Sequence, residues 1–197
     1  MTKRAETTER RRLEIIEAAI ACFVEAGFHQ TGMRDIAGRA GVSVGNLYNH
    51  FMDKAALIAA IAALETDQVE DFVAATAPGD AADAALDAFC RGYLAICLQP
   101  VSIVLTAEFA SEAVRNPAIG ALFERNRRIL RRALAAILER GVRAGLFDPA
   151  LDRDEAAATI IDMIENLPIR AHLQGGEVGA DRSEALLGFV RKLARRP

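Results

Sequence analysis

Apolar positions along this chain recur three and four residues apart in one segment after another, which predicts helices throughout. Leu13, Ile16, Ile20, Phe23 and Val24 make the first such stripe, on a helix expected from about Thr8 to Gly27. Gly27 followed by Phe28 reads as a left-handed stop with a hydrophobic contact behind it. Ile36, Ala37 and Ala40 predict a second helix, with Thr31 as its N-cap. Gly41 supplies positive φ for a tight turn, Val42 plugs that turn, and Ser43 caps a third helix to about His50. Leu47 and Phe51 then face inward, leaving Val44, Gly45, Asn46, Tyr48 and Asn49 outside. Two short helices joined by a glycine-containing turn have the general helix-turn-helix pattern.

The periodicity continues downstream. Asp53 is placed to cap a fourth helix, whose face Leu57, Ile58, Ile61, Leu64 and Phe72 runs to about Ala75. Lys54 in its first turn opposes the helix dipole, a cost that makes sense if Lys54 is held for a phosphate. The acidic run Glu65, Asp67, Glu70, Asp71 reads as its solvent face. Ala77-Pro78-Gly79-Asp80 is a breaker cluster and an expected loop. Further helices are expected over about 81–98, 101–115 and 118–144, separated by Pro100, by Asn116-Pro117 and by Gly145 with Pro149. Asp152 with Glu155, and Asp181 with Glu184, resemble capping boxes opening an eighth helix ended by Gln174-Gly175-Gly176 and a ninth running to about Arg195. No segment alternates with period two for long enough to be a strand, so the fold class expected is all-α, with about nine helices.

Composition agrees: 52% of residues are hydrophobic, with alanine dominant, and only 6% are aromatic. The net charge of −3 argues against non-specific nucleic-acid binding, but basic residues are concentrated locally. Lys3, Arg4, Arg10, Arg11 and Arg12 crowd the N-terminus, and Arg34, Arg39 and Lys54 flank the two short helices. Two readings of Lys3–Arg12 stand: an arm reaching phosphates or a minor groove, and a solvated tail. Arg191, Lys192, Arg195 and Arg196 read as a solvated helix end. The charged N-terminus lacks a following apolar run, so no signal peptide is expected, and no span reaches about 20 uninterrupted apolar residues. Cys22, Cys90 and Cys97 lack metal spacing and read as small buried hydrophobes in a reducing cytoplasm, the alternative being a redox sensor at Cys90 and Cys97, seven apart on one helical face. His172 has no partner at helical spacing, so no metal is expected.

The string Ile36-Ala37-x-x-Ala40-Gly41-Val42-Ser43-x-Gly45-x-Leu47-Tyr48-x-His50-Phe51-x-Asp53-Lys54-x-x-Leu57 resembles the DNA-binding domain of the tetracycline-repressor (TetR) family of bacterial transcriptional regulators. The resemblance covers roughly residues 10–60; beyond residue 75 it rests on helix number and length. It implies a helix-turn-helix domain over 1–52 and a helical ligand-binding and dimerisation domain over 53–197. It also implies a cytoplasmic, ligand-responsive repressor that binds a palindromic double-stranded operator as a homodimer, with no cofactor and no enzymatic activity. By this resemblance Arg34 matches a base-reading position, and Val44 and Tyr48 match contacts to bases or thymine methyls. Thr31, Asn46, Asn49, His50 and Lys54 match positions near phosphates, and Gly45 suits close approach. Asn49 departs from the aromatic residue often found at its position.

Glu108 stands in the otherwise apolar run VSIVLTAEFASEA. Such a carboxylate needs a partner. One reading is an ion pair with Arg127 or Arg131; the other is contact with a small-molecule effector among helices four to eight. Phe72, Phe89, Tyr93, Cys97, Phe109, Phe123 and Asn166 are the other candidate wall residues, against the plainer reading that they are core. Pro168 interrupts the eighth helix and should kink it. Ile160, Ile161, Ile164 and Leu167, with Leu186, Leu187, Val190 and Leu193, form stripes on the last two helices. In the resembled family these two helices build the dimer interface; the alternative is that the stripes pack inward. An enzyme would need a convergent acid, base and nucleophile, and His29, His50 and His172 lie in no such motif. A helical protein-interaction scaffold, or a small-molecule binder without DNA readout, is the remaining alternative.

Overall fold

A computed structural model describes residues 3–76 and 81–195. The breaker cluster Ala77–Asp80, the side chains of Lys3 and Arg4, and Arg196 lie outside the described residues. Among those described there are nine α-helices and no strand: α1 (Lys3–Gln30), α2 (Met33–Arg39), α3 (Val44–His50), α4 (Lys54–Ala75), α5 (Ala82–Cys97), α6 (Pro100–Arg115), α7 (Pro117–Arg143), α8 (Arg153–Leu173) and α9 (Ala180–Ala194). The all-α expectation and the helix order are borne out. No single helix among the described residues is long and apolar enough to cross a membrane.

Packing divides the chain into two compact units, residues 1–65 with 104–123, and residues 66–103 with 124–197. This division falls inside α4, α6 and α7, and it is a different cut from the one at residue 52 that the family resemblance implied.

In the first unit, Ile15, Ile16, Ala19 and Phe23 of α1 meet Ile36 and Ala37 of α2, Leu47 of α3, and Leu57, Ile58 and Ile61 of α4. Each fully buried Ile, Leu or Phe contributes about 1.5–3 kcal/mol of transfer free energy. Leu13, expected in the stripe of α1, is instead 37% exposed. Glycine 27 breaks α1 as anticipated, with φ 78°, although helical geometry resumes through Gln30.

In the second unit, α5 packs on both α8 and α9, which also pack on each other. Leu86, Phe89, Cys90 and Leu94 of α5 meet Leu130, Leu134 and Leu138 of α7 and the isoleucines of α8. Asp152 caps α8 by accepting the amides of Asp154 and Glu155. The ninth helix differs from expectation. It starts at Ala180 after Gly179, without a side-chain cap, and Glu184 pairs with Arg91 of α5.

Candidate nucleic-acid interface

The two short helices are held by local chemistry. Ser43 Oγ accepts the Asn46 amide at 3.1 Å and starts α3, while Gly41 takes φ 65° in the turn. Asp53 Oδ1 accepts the Ala56 amide at 2.8 Å and starts α4. The cap of α2 is a correction. Gly32, not Thr31, occupies the N-cap, and its amide donates to Asp35 Oδ2 at 2.8 Å. Thr31 is 3% exposed, with its hydroxyl donating to the carbonyls of Gly27 and Cys22 at 2.8 and 3.1 Å. A buried hydroxyl donating to two carbonyls supports the loop from within.

Around the buried Leu47, α3 presents Gly45, Asn46, Tyr48 and Asn49 to solvent, with Val44 and His50 half-buried. Tyr48 is 51% exposed. Arg34 of α2 is exposed as well. These are donors, acceptors and apolar surface of the kind that reads base edges. Lys54 is half-buried, and its ammonium donates to the carbonyls of Phe28 and of Thr31, the latter at 3.1 Å. It therefore ties α4 to the end of α1, a role the dipole argument did not reveal. Arg39 is bound in bidentate fashion to Glu25 at 2.5 and 2.6 Å, and that bond holds the Glu25 carboxyl below its ordinary range.

The basic lead-in is helical from Lys3 onward, and Arg10, Arg11 and Arg12 have acidic neighbours. Arg11 reaches Glu14 at 2.7 Å, Arg10 reaches Glu14 at 3.7 Å, and Arg12 reaches Glu9 at 3.5 Å while lying over the Phe51 ring.

The other candidate residues separate by unit. Phe72, Phe89 and Tyr93 cluster in the second unit with ring centroids 5.2–6.3 Å apart. Tyr93 donates its hydroxyl to Glu165 Oε1 at 2.7 Å. Arg127 Nε lies 3.3 Å from the other Glu165 oxygen without hydrogen-bond alignment, and the guanidinium also pairs with Asp162. Burial raises the Glu165 carboxyl above its ordinary range, opposed by the Tyr93 bond and the Arg127 charge. Neither Tyr93 with Glu165 nor Thr66 with buried Asn126, at 2.6 Å, was foreseen; only a polar residue inside an apolar helix face signals such pairs. Cys90 and Cys97 have thiols pushed up to about 12 by burial, which disfavours the reactive thiolate. Asn166 is exposed and donates to the Asp162 carbonyl of its own helix.

Glu108, Phe109 and Phe123 belong to the first unit. Phe109 packs on Phe28 and Phe123 at 5.0 and 4.1 Å. The expected arginine partner of Glu108 is corrected: its carboxylate accepts the backbone amide of Phe28 at 2.8 Å. Arg127 pairs with Asp162, Glu165 and Glu124, and Arg131 with Glu124.

The stripes of α8 and α9 turn inward. Ile160, Ile161 and Ile164 are 0% exposed, and Leu187 and Val190 are within the same core, so their area is already buried by this chain. Leu167, Leu186 and Leu193 sit half-buried at its margin. The apolar side chains left outward are Leu173 of α8, 71% exposed, and Phe189 of α9, 54% exposed. Phe189 lies three residues after Leu186 on one face of α9, a spacing that could have revealed it.

Comparison with known proteins agrees along the chain. Residues 15–61 match the model of bacterial regulatory proteins of the tetR family, and residues 82–190 match that of the BetI-type transcriptional repressor C-terminal domain. The HTH-type transcriptional repressor KstR2 of Mycobacterium tuberculosis is 28% identical over 98% of both chains. The HTH-type transcriptional regulator UidR of Escherichia coli K12 is 25% identical over 77% of this chain and 76% of its own. In fold, Salmonella enterica GusR aligns with TM-score 0.78 at 22% identity, covering 94% of this chain and 95% of its own. FadR of Bacillus subtilis, solved with stearoyl-CoA, aligns with TM-score 0.77 at 21% identity, covering 92% and 96%. With the helix-turn-helix geometry and both family models in agreement, this chain belongs to the TetR family of bacterial transcriptional regulators.

Proposed function

We propose that this regulator acts in the cytoplasm as a homodimeric repressor, setting two copies of α3 into the major groove at the half-sites of an inverted repeat. The observation that carries the reading is the outward face of the Ser43-capped α3, with Tyr48, Asn46 and Asn49 exposed beside Arg34. Half-sites one helical turn apart set the two reading helices about 34–36 Å apart. Arg34 reads guanine, and Val44 and Tyr48 contact bases or thymine methyls. Asn46, Asn49 and His50 contact phosphates, Gly45 allows close approach, and Thr31 and Lys54 hold the frame. Residues 1–52 then serve as the reader and 53–197 as the regulatory part. The partner surface is the outward side of α8 and α9 around Leu173 and Phe189, with Leu167, Leu186 and Leu193 at its edge. A small-molecule effector binds beside Phe72, Phe89, Tyr93 and Cys97, where rings meet the polar pair Tyr93–Glu165. It acts by favouring a dimer whose reading helices no longer match the half-sites.

Selection from a random-sequence duplex pool by the purified full chain tests this. The expected result is an enriched inverted repeat bound by a dimer. A chain that sediments as a monomer and enriches no duplex overturns the reading.

A further inference from the structure

Residues 27–30 end α1, and Thr31 and Gly32 lead from there into α2, so their placement sets where the reading helices begin. Gly27 has φ 78°, and a side chain there would meet the Glu108 carboxylate at 3.2 and 3.3 Å from its Cβ. Phe28 is gripped on both sides of its backbone. Its amide donates to Glu108 Oε2 of α6 at 2.8 Å, and its carbonyl accepts from the Lys54 ammonium of α4. Its ring, 2% exposed, stands edge-on to Phe23 at 4.6 Å and leans on Phe109 of α6 at 5.0 Å. One turn along α6, Glu112 Oε2 lies 3.4 Å from His29 Nε2. Two carboxylates of α6 thus face two consecutive residues of the turn that feeds α2, and Glu108 holds the first of them by a hydrogen bond.

We propose that Glu108 is a positioning residue for DNA reading. Its carboxylate fixes the left-handed turn at Gly27–Phe28 and thereby the angle at which α2 and α3 meet the duplex. The geometry gives the reason for both residue types. Only glycine accepts φ 78° with a carboxylate so close, and the backbone amide after it, on a buried residue, needs an acceptor that the helix does not supply. Hydrogen bonds to charged groups are the stronger class, and this one joins segments 80 residues apart in the chain. A reader whose entry turn is loose retains its basic and polar surface. It therefore keeps phosphate attraction and loses alignment with base edges, which is a loss of specific binding only. This inference rests on the DNA-binding reading above.

The test uses the full-length dimer and two probes: the duplex enriched by the unaltered protein, and a scrambled duplex of equal length. Glu108→Ala is expected to bind the enriched duplex about 10- to 100-fold more weakly, with scrambled-duplex affinity changed less than about two-fold. Glu108→Gln keeps a side-chain acceptor and is expected to recover most of the loss. Glu108→Asp retracts the carboxylate by one methylene and is expected to fall between them, which keeps the test decisive if the alanine variant does not fold. Amide exchange at Phe28, read without DNA, should accelerate in Glu108→Asp and stay slow in Glu108→Gln. Equal binding of Glu108→Asp and the unaltered protein, or equal losses on both duplexes, overturns the proposal. Failure of the unaltered protein to enrich any duplex sinks the DNA-binding reading instead.

Discussion

Tyr93 and Glu165 are joined by a 2.7 Å hydroxyl-to-carboxylate hydrogen bond beside the aromatic cluster of the second unit. Tyr93→Phe leaves a largely buried carboxylate short of one donor, and the expected loss is about 1–3 kcal/mol. Burial already holds the Glu165 pKa above its ordinary value. The folded chain therefore binds this proton more tightly than the unfolded chain does. Its stability contribution is present at low pH and is lost as pH rises from the ordinary carboxylate range through the raised folded value. Removing the Tyr93 bond raises that value further, so the deficit of Tyr93→Phe should be larger at pH 8 than at pH 5. Urea unfolding at both pH values measures it. Equal deficits would show that the bond is not the cause.

Gly141 of α7 lies against the Phe147 ring, where an added Cβ would come within 2.0 Å of Cδ2. Phe147 is 3% exposed and has no room to retreat without disturbing the core. Gly141→Ala should destabilise the protein by about 1–3 kcal/mol or more despite alanine's better helix propensity. A thermal melt matching the unaltered protein would mean the ring repacks freely.

Arg34→Ala should weaken binding to the enriched duplex by about 1–3 kcal/mol and relax preference at one base pair, with Tyr48→Ala acting similarly. Both side chains are exposed, so melting temperatures should be unchanged. Fluorescence anisotropy against a panel of single-base variants gives the answer. Unchanged affinity and preference would remove these residues from the readout.

Lys54→Ala separates two roles. The ammonium holds the carbonyls of Phe28 and Thr31, so its removal should lower stability as well as DNA affinity. Loss of two charge-assisted bonds is expected to cost about 1–3 kcal/mol in urea unfolding. A variant of normal stability with only a shallower salt dependence would restore a pure phosphate role.

Phe189→Asp places a charge on the outward face of α9. Sedimentation equilibrium should show the dimer shifted to monomer, with the helical content of the monomer retained. Retention of the dimer would move the partner surface elsewhere.

The order of the nine helices among the described residues, and the turn and second helix of the helix-turn-helix, were legible in the sequence because each rests on local chemistry. Ser43, Gly41 and Asp53 do their work within a few residues of themselves. What was not legible depends on partners distant in the chain. Thr31 has the composition of a cap, but its hydroxyl finds carbonyls in the preceding helix. The Glu108 partner lies 80 residues away and is a backbone amide, which no side-chain pattern announces. The stripes of α8 and α9 have the same period whether they face a core or a second chain, so periodicity cannot choose between them. Glu65 looked like one more member of a solvated acidic run. Burial instead pushes its carboxyl up to about 7. Only the packing of the unit around α4 distinguishes it from exposed Asp67, Glu70 and Asp71.

Among the described residues nothing approaches within 4 Å of where a Cβ on Gly45 would stand, and its φ is not in the left-handed region. A side chain there would meet no other part of the described chain, and Gly45→Ala alone would firm α3 by roughly 0.5–1 kcal/mol. With α3 in the groove as proposed above, position 45 is therefore a dial for target preference that drift or selection can turn without unfolding the protein.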